Sequence, residues 1–173
     1  MNHLHRILLQ KTCVAFALLG VFTIPGDLTD AVYAQNATFY TSNTFPRKAS
    51  ELNRRGREKF QLRDYGGAIS DFNEAMILNP YDADIYFNRG LVLYKLEDVS
   101  GAISDFDHAL LLNPRHALAY FHRAGVRYAL GEQPGAMLDL RLATKLFLAQ
   151  GDRARYQKAQ NLLRRLQGAS PRS

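Results

Sequence analysis

Arginine and aspartate recur together in this chain at one fixed distance: Arg55 with Asp71, Arg89 with Asp105 and Arg123 with Asp139, each Asp sixteen residues after its Arg. A guanidinium and a carboxylate can form a bidentate, charge-assisted pair, which either holds a fold together or grips an acidic ligand. A ligand rarely needs the same pair three times at one interval, so these are expected to be structural ion pairs, each worth roughly 0.5–2 kcal/mol if partly buried. Beyond them the means for catalysis are thin. The single cysteine, Cys13, lies in an apolar stretch near the N-terminus, and thiol catalysis or zinc–thiolate sites are not expected downstream of it. His108, His116 and His122 fit no metal-ligand spacing and read as surface or loop residues. Asp105 and Asp107 stand two apart, on different faces of any helix, and make a poor acid–base pair. No glycine-rich phosphate loop or serine-nucleophile turn is present. The expectation is a protein that is not an enzyme, with no cofactor and no metal.

The elements that must position these pairs emerge from length and charge. The 173 residues, 47% of them apolar, suffice for one domain with a real core and exclude a disordered polyampholyte or a disulfide-stapled miniprotein. The net charge of +6 is a terminal feature: residues 49–150 sum to −1, while 151–173 sum to +5. A basic core wrapping a phosphate backbone is therefore not expected, and no nucleic acid is assigned as a partner. At the N-terminus, Arg6 and Lys11 precede an apolar run from Thr12 to Ile24, then Pro25-Gly26 and Val32-Tyr33-Ala34. This is the layout of a signal peptide cleaved after Ala34, with an apolar run well short of the roughly 20 residues a bilayer requires. The protein is then expected to be exported to a periplasm, a photosynthetic lumen or the medium, and its mature chain lacks cysteine. Residues 35–48, rich in Asn, Thr and Ser and containing Pro46, read as a flexible lead-in.

The chain also repeats itself. Gly67-Ala68-Ile69-Ser70-Asp71-Phe72 returns as Gly101-Ala102-Ile103-Ser104-Asp105-Phe106 and, more loosely, as Gly135-Ala136-Met137-Leu138-Asp139-Leu140, in steps of 34 residues. Asn79-Pro80 returns as Asn113-Pro114, Gly56 as Gly90, and Tyr86-Phe87 as Tyr120-Phe121 at the same interval. This period, with small residues at fixed places, resembles the tetratricopeptide repeat (TPR), whose unit is a pair of antiparallel helices. The resemblance covers three copies, 49–82, 83–116 and 117–150. It implies an all-α fold, a right-handed α-solenoid of three helix hairpins with a C-terminal capping helix. Gly56 and Gly90 are expected to face Ala68 and Ala102, where two helices approach closely. The Asn-Pro pairs end each second helix. The third copy has Leu148 instead of Pro, so its second helix should run on to about Gln150.

In such a hairpin, Arg55, Arg89 and Arg123 on the first helix come opposite Asp71, Asp105 and Asp139 on the second. A stack of hairpins leaves its last apolar face uncovered. After Gly151-Asp152, the residues Tyr156, Ala159, Leu162, Leu163 and Leu166 fall at helical spacing and supply the cap, 151–168, followed by a tail, 169–173. The other face of that helix carries Arg153, Arg155, Lys158, Arg164 and Arg165, which read either as solubilising residues or as an anionic contact.

In the resembled family, the inner surface is lined by one face of each first helix. Here that face comprises Ser50, Asn53, Arg57, Phe60 and Gln61; then Asp84, Phe87, Leu91, Tyr94 and Lys95; then Leu118, Phe121, Gly125, Tyr128 and Ala129. Two aromatic rows are expected along the groove: Phe87 with Phe121, and Phe60 with Tyr94 and Tyr128. The Lys, Asn and Arg set by which some family members clamp a C-terminal carboxylate is not reproduced, because Phe87, Leu91 and Phe121 stand where polar donors would be needed. The resemblance thus implies a non-catalytic extracytoplasmic scaffold that binds a protein or peptide segment through apolar anchors in a concave groove, a role that extends to assembly of envelope or membrane complexes. The alternative is a binder of anionic membrane surfaces or polyanions, in peripheral contact through the basic C-terminal helix.

Overall fold

The computed structural model describes residues 28–168, with side chains from residue 44 onward. Seven helices make up this part of the chain: α1 (Leu28–Gln61), α2 (Tyr65–Leu78), α3 (Ala83–Lys95), α4 (Val99–Leu112), α5 (Ala117–Ala129), α6 (Gln133–Ala149) and α7 (Arg153–Gly168). Among the described residues there is no strand, and no helix is long and apolar enough to cross a membrane. The helices pair as hairpin units, α1 with α2, α3 with α4 and α5 with α6, and α7 packs on α6 as the cap. This is an all-α solenoid.

Two units divide the chain, Met1–Lys48 and Ala49–Ser173. The targeting segment, 1–34, lies outside the described residues as far as residue 27, as does the tail, 169–173. Residues 35–48, expected as a flexible lead-in, are instead helical within α1, with Pro46 inside the helix. Asn, Thr and Ser each weaken a helix by less than about 0.7 kcal/mol relative to Ala. Extending an existing helix needs no new nucleus, so a polar stretch can continue one that a separate segment of the same composition would not start.

The turns are set by side chains the chain supplies at each junction. Asp64 and Asp98 cap α2 and α4, each accepting a bond of 2.9 Å from the N–H of Gly67 or Gly101. A Cβ on either glycine would fall 2.1 or 2.4 Å from the capping carboxylate, so only glycine lets the cap close. The first helices end with Arg63, Glu97 and Gly131 in the left-handed region, at φ 63°, 64° and 80°. Asn79 and Asn113 follow α2 and α4, and each side-chain oxygen accepts from the backbone N–H two residues on. Where these copies have Asn-Pro the third has Phe147-Leu148, and α6 continues for 17 residues against 14 in α2 and α4.

Burial follows the repeat. Phe72, Phe106 and Leu140 are fully enclosed at equivalent places, as are Ala68, Ala102 and Ala136. Gly56 and Gly90 each lie under an aromatic ring of the second helix, a built Cβ meeting Phe72 at 2.7 Å or Phe106 at 2.9 Å. The close approach at these glycines is of ring edge to backbone.

Candidate functional site

The three Arg–Asp pairs form in the same geometry. Arg55, Arg89 and Arg123 each donate Nε to Oδ2 of the Asp at 2.8 Å, and their Nη2 atoms reach Oδ1 at 2.7, 2.7 and 2.6 Å. All three carboxylates are buried. The hydrogen bond from Arg55 holds the Asp71 carboxyl below its usual range, against the opposing effect of burial. The pattern extends further than sequence spacing showed. Arg89 also donates to Asn73 at 2.7 Å, and Arg123 bonds Asp107. Each thus ties its own hairpin to the second helix of the one before. Arg127 adds a third donor group to Asp139, at 2.9 Å. Arg89 and Arg123 have all three guanidinium nitrogens engaged this way, whereas Arg55 engages Nε and Nη2 and is half exposed.

The expected groove face splits in two. Phe87 is only 7% exposed, with ring centroids 5.9 Å from Phe106, 4.7 Å from His116 and 5.6 Å from His122. Phe121 is half-buried, 5.6 Å from His122 and 6.3 Å from Phe147, and Leu91 packs against the core. Phe87 is therefore core between repeats, while Phe121 keeps part of its surface exposed. A first helix packs against both its own partner and the next first helix, so its apolar face is wider than one stripe. Asn53 accepts a bond of 2.9 Å from Asn88 and likewise joins two hairpins.

The other row stays at the surface. Tyr94 is 39% exposed and Tyr128 49%, and Phe60 lies half-buried with its ring 5.8 Å from Tyr65. Arg57, Gln61 and Lys95 are exposed beside this row, and Gly125 leaves open space above the backbone of α5. Ser50 and Ala129 are exposed, and Leu118 packs on the core. Sequence reasoning missed a third apolar series at the ends of the first helices: Leu62, Leu96 and Leu130 are 81%, 48% and 51% exposed. Their signal was the 34-residue spacing itself. Two shallow depressions lie elsewhere. One of about 590 Å³ borders Ile103, His108 and Leu111 on α4, and one of about 410 Å³ borders Met137, Leu138 and Arg141 on α6. Neither includes a residue of the expected groove.

Of the three histidines, His116 and His122 are more enclosed than a surface reading allowed, while His108 is at the surface as expected. His116 caps α5: its Nδ1 accepts from the Ala119 N–H at 3.2 Å, which leaves Nε2 to donate to Asp84 at 3.0 Å. That bond holds the exposed Asp84 carboxyl below its usual range. His108 is exposed but stacks on Tyr86, 4.2 Å between centroids. His122 lies among Phe87, Phe106 and Phe121, and burial lowers its pKa to about 4, with Lys158, His116 and Arg155 contributing repulsion. In the unfolded chain it would titrate near 6.5. The unfolded state thus binds the extra proton first, and stability should fall by about 3 kcal/mol as pH drops from roughly 6.5 to 4. Denaturant melts across that window should show the slope, and His122→Gln should flatten it. The depressed Asp71 and Asp84 contribute only at lower pH, below their unfolded values.

No group of three or more His, Cys, Asp or Glu among the described residues is placed to hold a metal ion.

Comparison with known families agrees with this architecture. A model described as "TPR repeat" matches residues 56–97 and one described as "Tetratricopeptide repeat" matches 83–116. Residues 56–116 of this multi-helix chain thus match tetratricopeptide repeats. It resembles the first TPR domain of human RPAP3, at 27% identity over 72% of this chain and 93% of that one, with a TM-score of 0.64. It also resembles the TPR2B domain of yeast Sti1, in a structure titled as its pHsp70 complex, at 26% identity over 70% and 98% with a TM-score of 0.66. The fold is shared with PcrH, in complex with the chaperone-binding region of PopD, at 22% identity over 69% and 90% with a TM-score of 0.66. No curated protein matches the chain significantly.

Proposed function

We propose that this protein is a non-catalytic scaffold of three tetratricopeptide repeats that docks a protein or peptide segment along its first-helix face. The observation that carries this reading is the exposed pair Tyr94 and Tyr128, one repeat apart, with Phe60 a further repeat before them. Neither tyrosine side chain has a hydrogen-bond or ring partner among the described residues. Partly exposed tyrosines at repeat spacing suit peptide recognition, since each offers apolar area at low entropic cost with a polar tip. The similarity to the Sti1 domain and to an RPAP3 domain bound to an HSP90 peptide supports the mode, 26% and 27% identical as they are. The segment should be held by apolar anchors, because Phe87, Leu91 and Phe121 leave no room for a polar carboxylate clamp.

The scaffold acts outside the cytoplasm, on the evidence of Arg6, Lys11 and the apolar run Thr12 to Ile24. N-terminal sequencing of the exported form should begin at Gln35. Assembly of envelope or membrane complexes is a setting in which such a scaffold would serve. A second reading has its own observation: α7 carries Arg153, Arg155, Lys158, Arg164 and Arg165 exposed and no carboxylate, which suits a polyanion or an anionic bilayer.

Photo-crosslinking groups placed at Tyr94 and Tyr128, and separately at Arg164, distinguish the two. Crosslinks from the tyrosines that persist at moderate salt, with partner capture reduced about tenfold by Tyr94→Ala together with Tyr128→Ala, are expected. Crosslinks only from Arg164, lost as salt rises, would replace the groove reading with the second one.

A further inference from the structure

Most of the described glycines are accounted for by geometry. Gly56 and Gly90 make room for phenylalanine rings, Gly67 and Gly101 for capping carboxylates, and Gly135 lies against Arg127; Gly131 and Gly151 have positive φ. Gly66 and Gly168 are open as well but lie in the first turn of α2 and the last turn of α7, whereas Gly125 is different. It sits in the middle of α5, and a Cβ built on it meets nothing within 4 Å. Glycine in a helix interior lowers stability through backbone entropy, and no intramolecular contact here requires it.

Its surroundings are those of a binding surface. On the same face of α5, Phe121 stands one turn before it and Tyr128 one turn after it, so the open backbone strip lies between two rings. The Lys158 ammonium is 5.6 Å from the centre of the Phe121 ring. Neither α5 nor α7 contains an Asp or Glu, and the one carboxylate of α6, Asp139, is buried and bonded to Arg123 and Arg127. From the preceding hairpin the face receives exposed Lys95 and the His116-bound Asp84. The field around the strip is positive.

Resting on the groove reading above, we propose that Gly125 is an anchor notch: it admits a large apolar side chain, between Phe121 and Tyr128, from a segment whose flanking residues are acidic. The side chain fills the space that a Cβ at this position would begin to occupy, and its backbone passes under Lys158.

Short fluorescein-labelled synthetic peptides test this by anisotropy: one with a central phenylalanine between glutamates, one with a central alanine, and one with lysines for the glutamates. Thermal melts of the same mature protein run alongside. Gly125→Ala should raise the melting temperature by about 2–4 °C. Gly125→Leu should remain folded and weaken the phenylalanine peptide at least about tenfold, while Gly66→Leu, equally open but at the start of α2, should leave binding unchanged. The alanine and lysine peptides should bind at least about tenfold more weakly than the first. If Gly125→Leu binds like the wild type while Tyr94→Ala weakens binding, the notch is refuted and the groove reading survives. Equal binding of the lysine peptide overturns the acidic assignment. If the wild type binds none of the three peptides, the groove reading itself fails.

Discussion

Phe106→Ala is expected to destabilise the protein by about 3–5 kcal/mol, the largest effect of any single truncation considered. The ring is fully enclosed between α3 and α4, against Phe87 and the backbone of Gly90. The sharper expectation concerns its partner. Gly90→Ala gains roughly 1 kcal/mol of helix propensity but drives a Cβ to 2.9 Å from the ring and 3.2 Å from the Asp105 Cβ. Overpacking of that kind costs about 1–3 kcal/mol, so the single variant should come out destabilised by up to about 2 kcal/mol. Phe106→Leu alone should cost on the order of 1 kcal/mol in lost burial. Combined, the two changes should recover about 1–2 kcal/mol relative to their sum, since the shorter side chain relieves the clash. The chain already contains the combined form: repeat three has buried Ala124 and Leu140 where the first two have Gly with Phe. Urea melts of the four proteins of this cycle check the point, and strict additivity would refute the ring-over-glycine account.

Arg123→Ala is expected to cost about 3 kcal/mol, because Asp139 is 1% exposed and would keep only Arg127 to balance its buried charge. Arg123 also bonds Asp107 of the preceding hairpin, so the change loosens the joint between two repeats as well. Arg55→Ala should cost less than about 1 kcal/mol. There the guanidinium is half exposed, and Lys59 stands 3.0 Å from Asp71 to take over. Arg89, more buried than Arg55 and less than Arg123, should fall between. Denaturant melts should return that order. Coupling between Arg123→Ala and Asp139→Ala in a double-mutant cycle should exceed the Arg55 and Asp71 coupling by about 1 kcal/mol or more. Equal costs at all three pairs would mean that burial does not govern them.

The order of the three pairs shows where reading the chain stops. Their identity was legible: the 34-residue period, the sixteen-residue offset and the residue types suffice to predict which Arg meets which Asp. Their ranking was not, because it depends on how much of each guanidinium the preceding hairpin covers and on whether Lys59 or Arg127 joins in. The bonds of Arg89 to Asn73 and of Arg123 to Asp107 cross between repeats. Local spacing does not report the angle at which one hairpin stacks on another.

The aromatic face divides along the same line. A helical period identifies which residues share a face, and it placed Phe87, Phe121, Tyr94 and Tyr128 together correctly in that sense. It does not say how far the neighbouring helix overlaps that face. Stacking of α5 beside α3 encloses Phe87 with His116 and His122 and leaves Tyr94 outside. Helix type, repeat length, the turn residues and the cap helix are determined by the sequence alone, since each arises from interactions within about one period. The enclosure of His116 and His122, the rings above Gly56 and Gly90, and the empty space above Gly125 were decided only by tertiary structure, where residues a full repeat apart come into contact and set what remains for a partner.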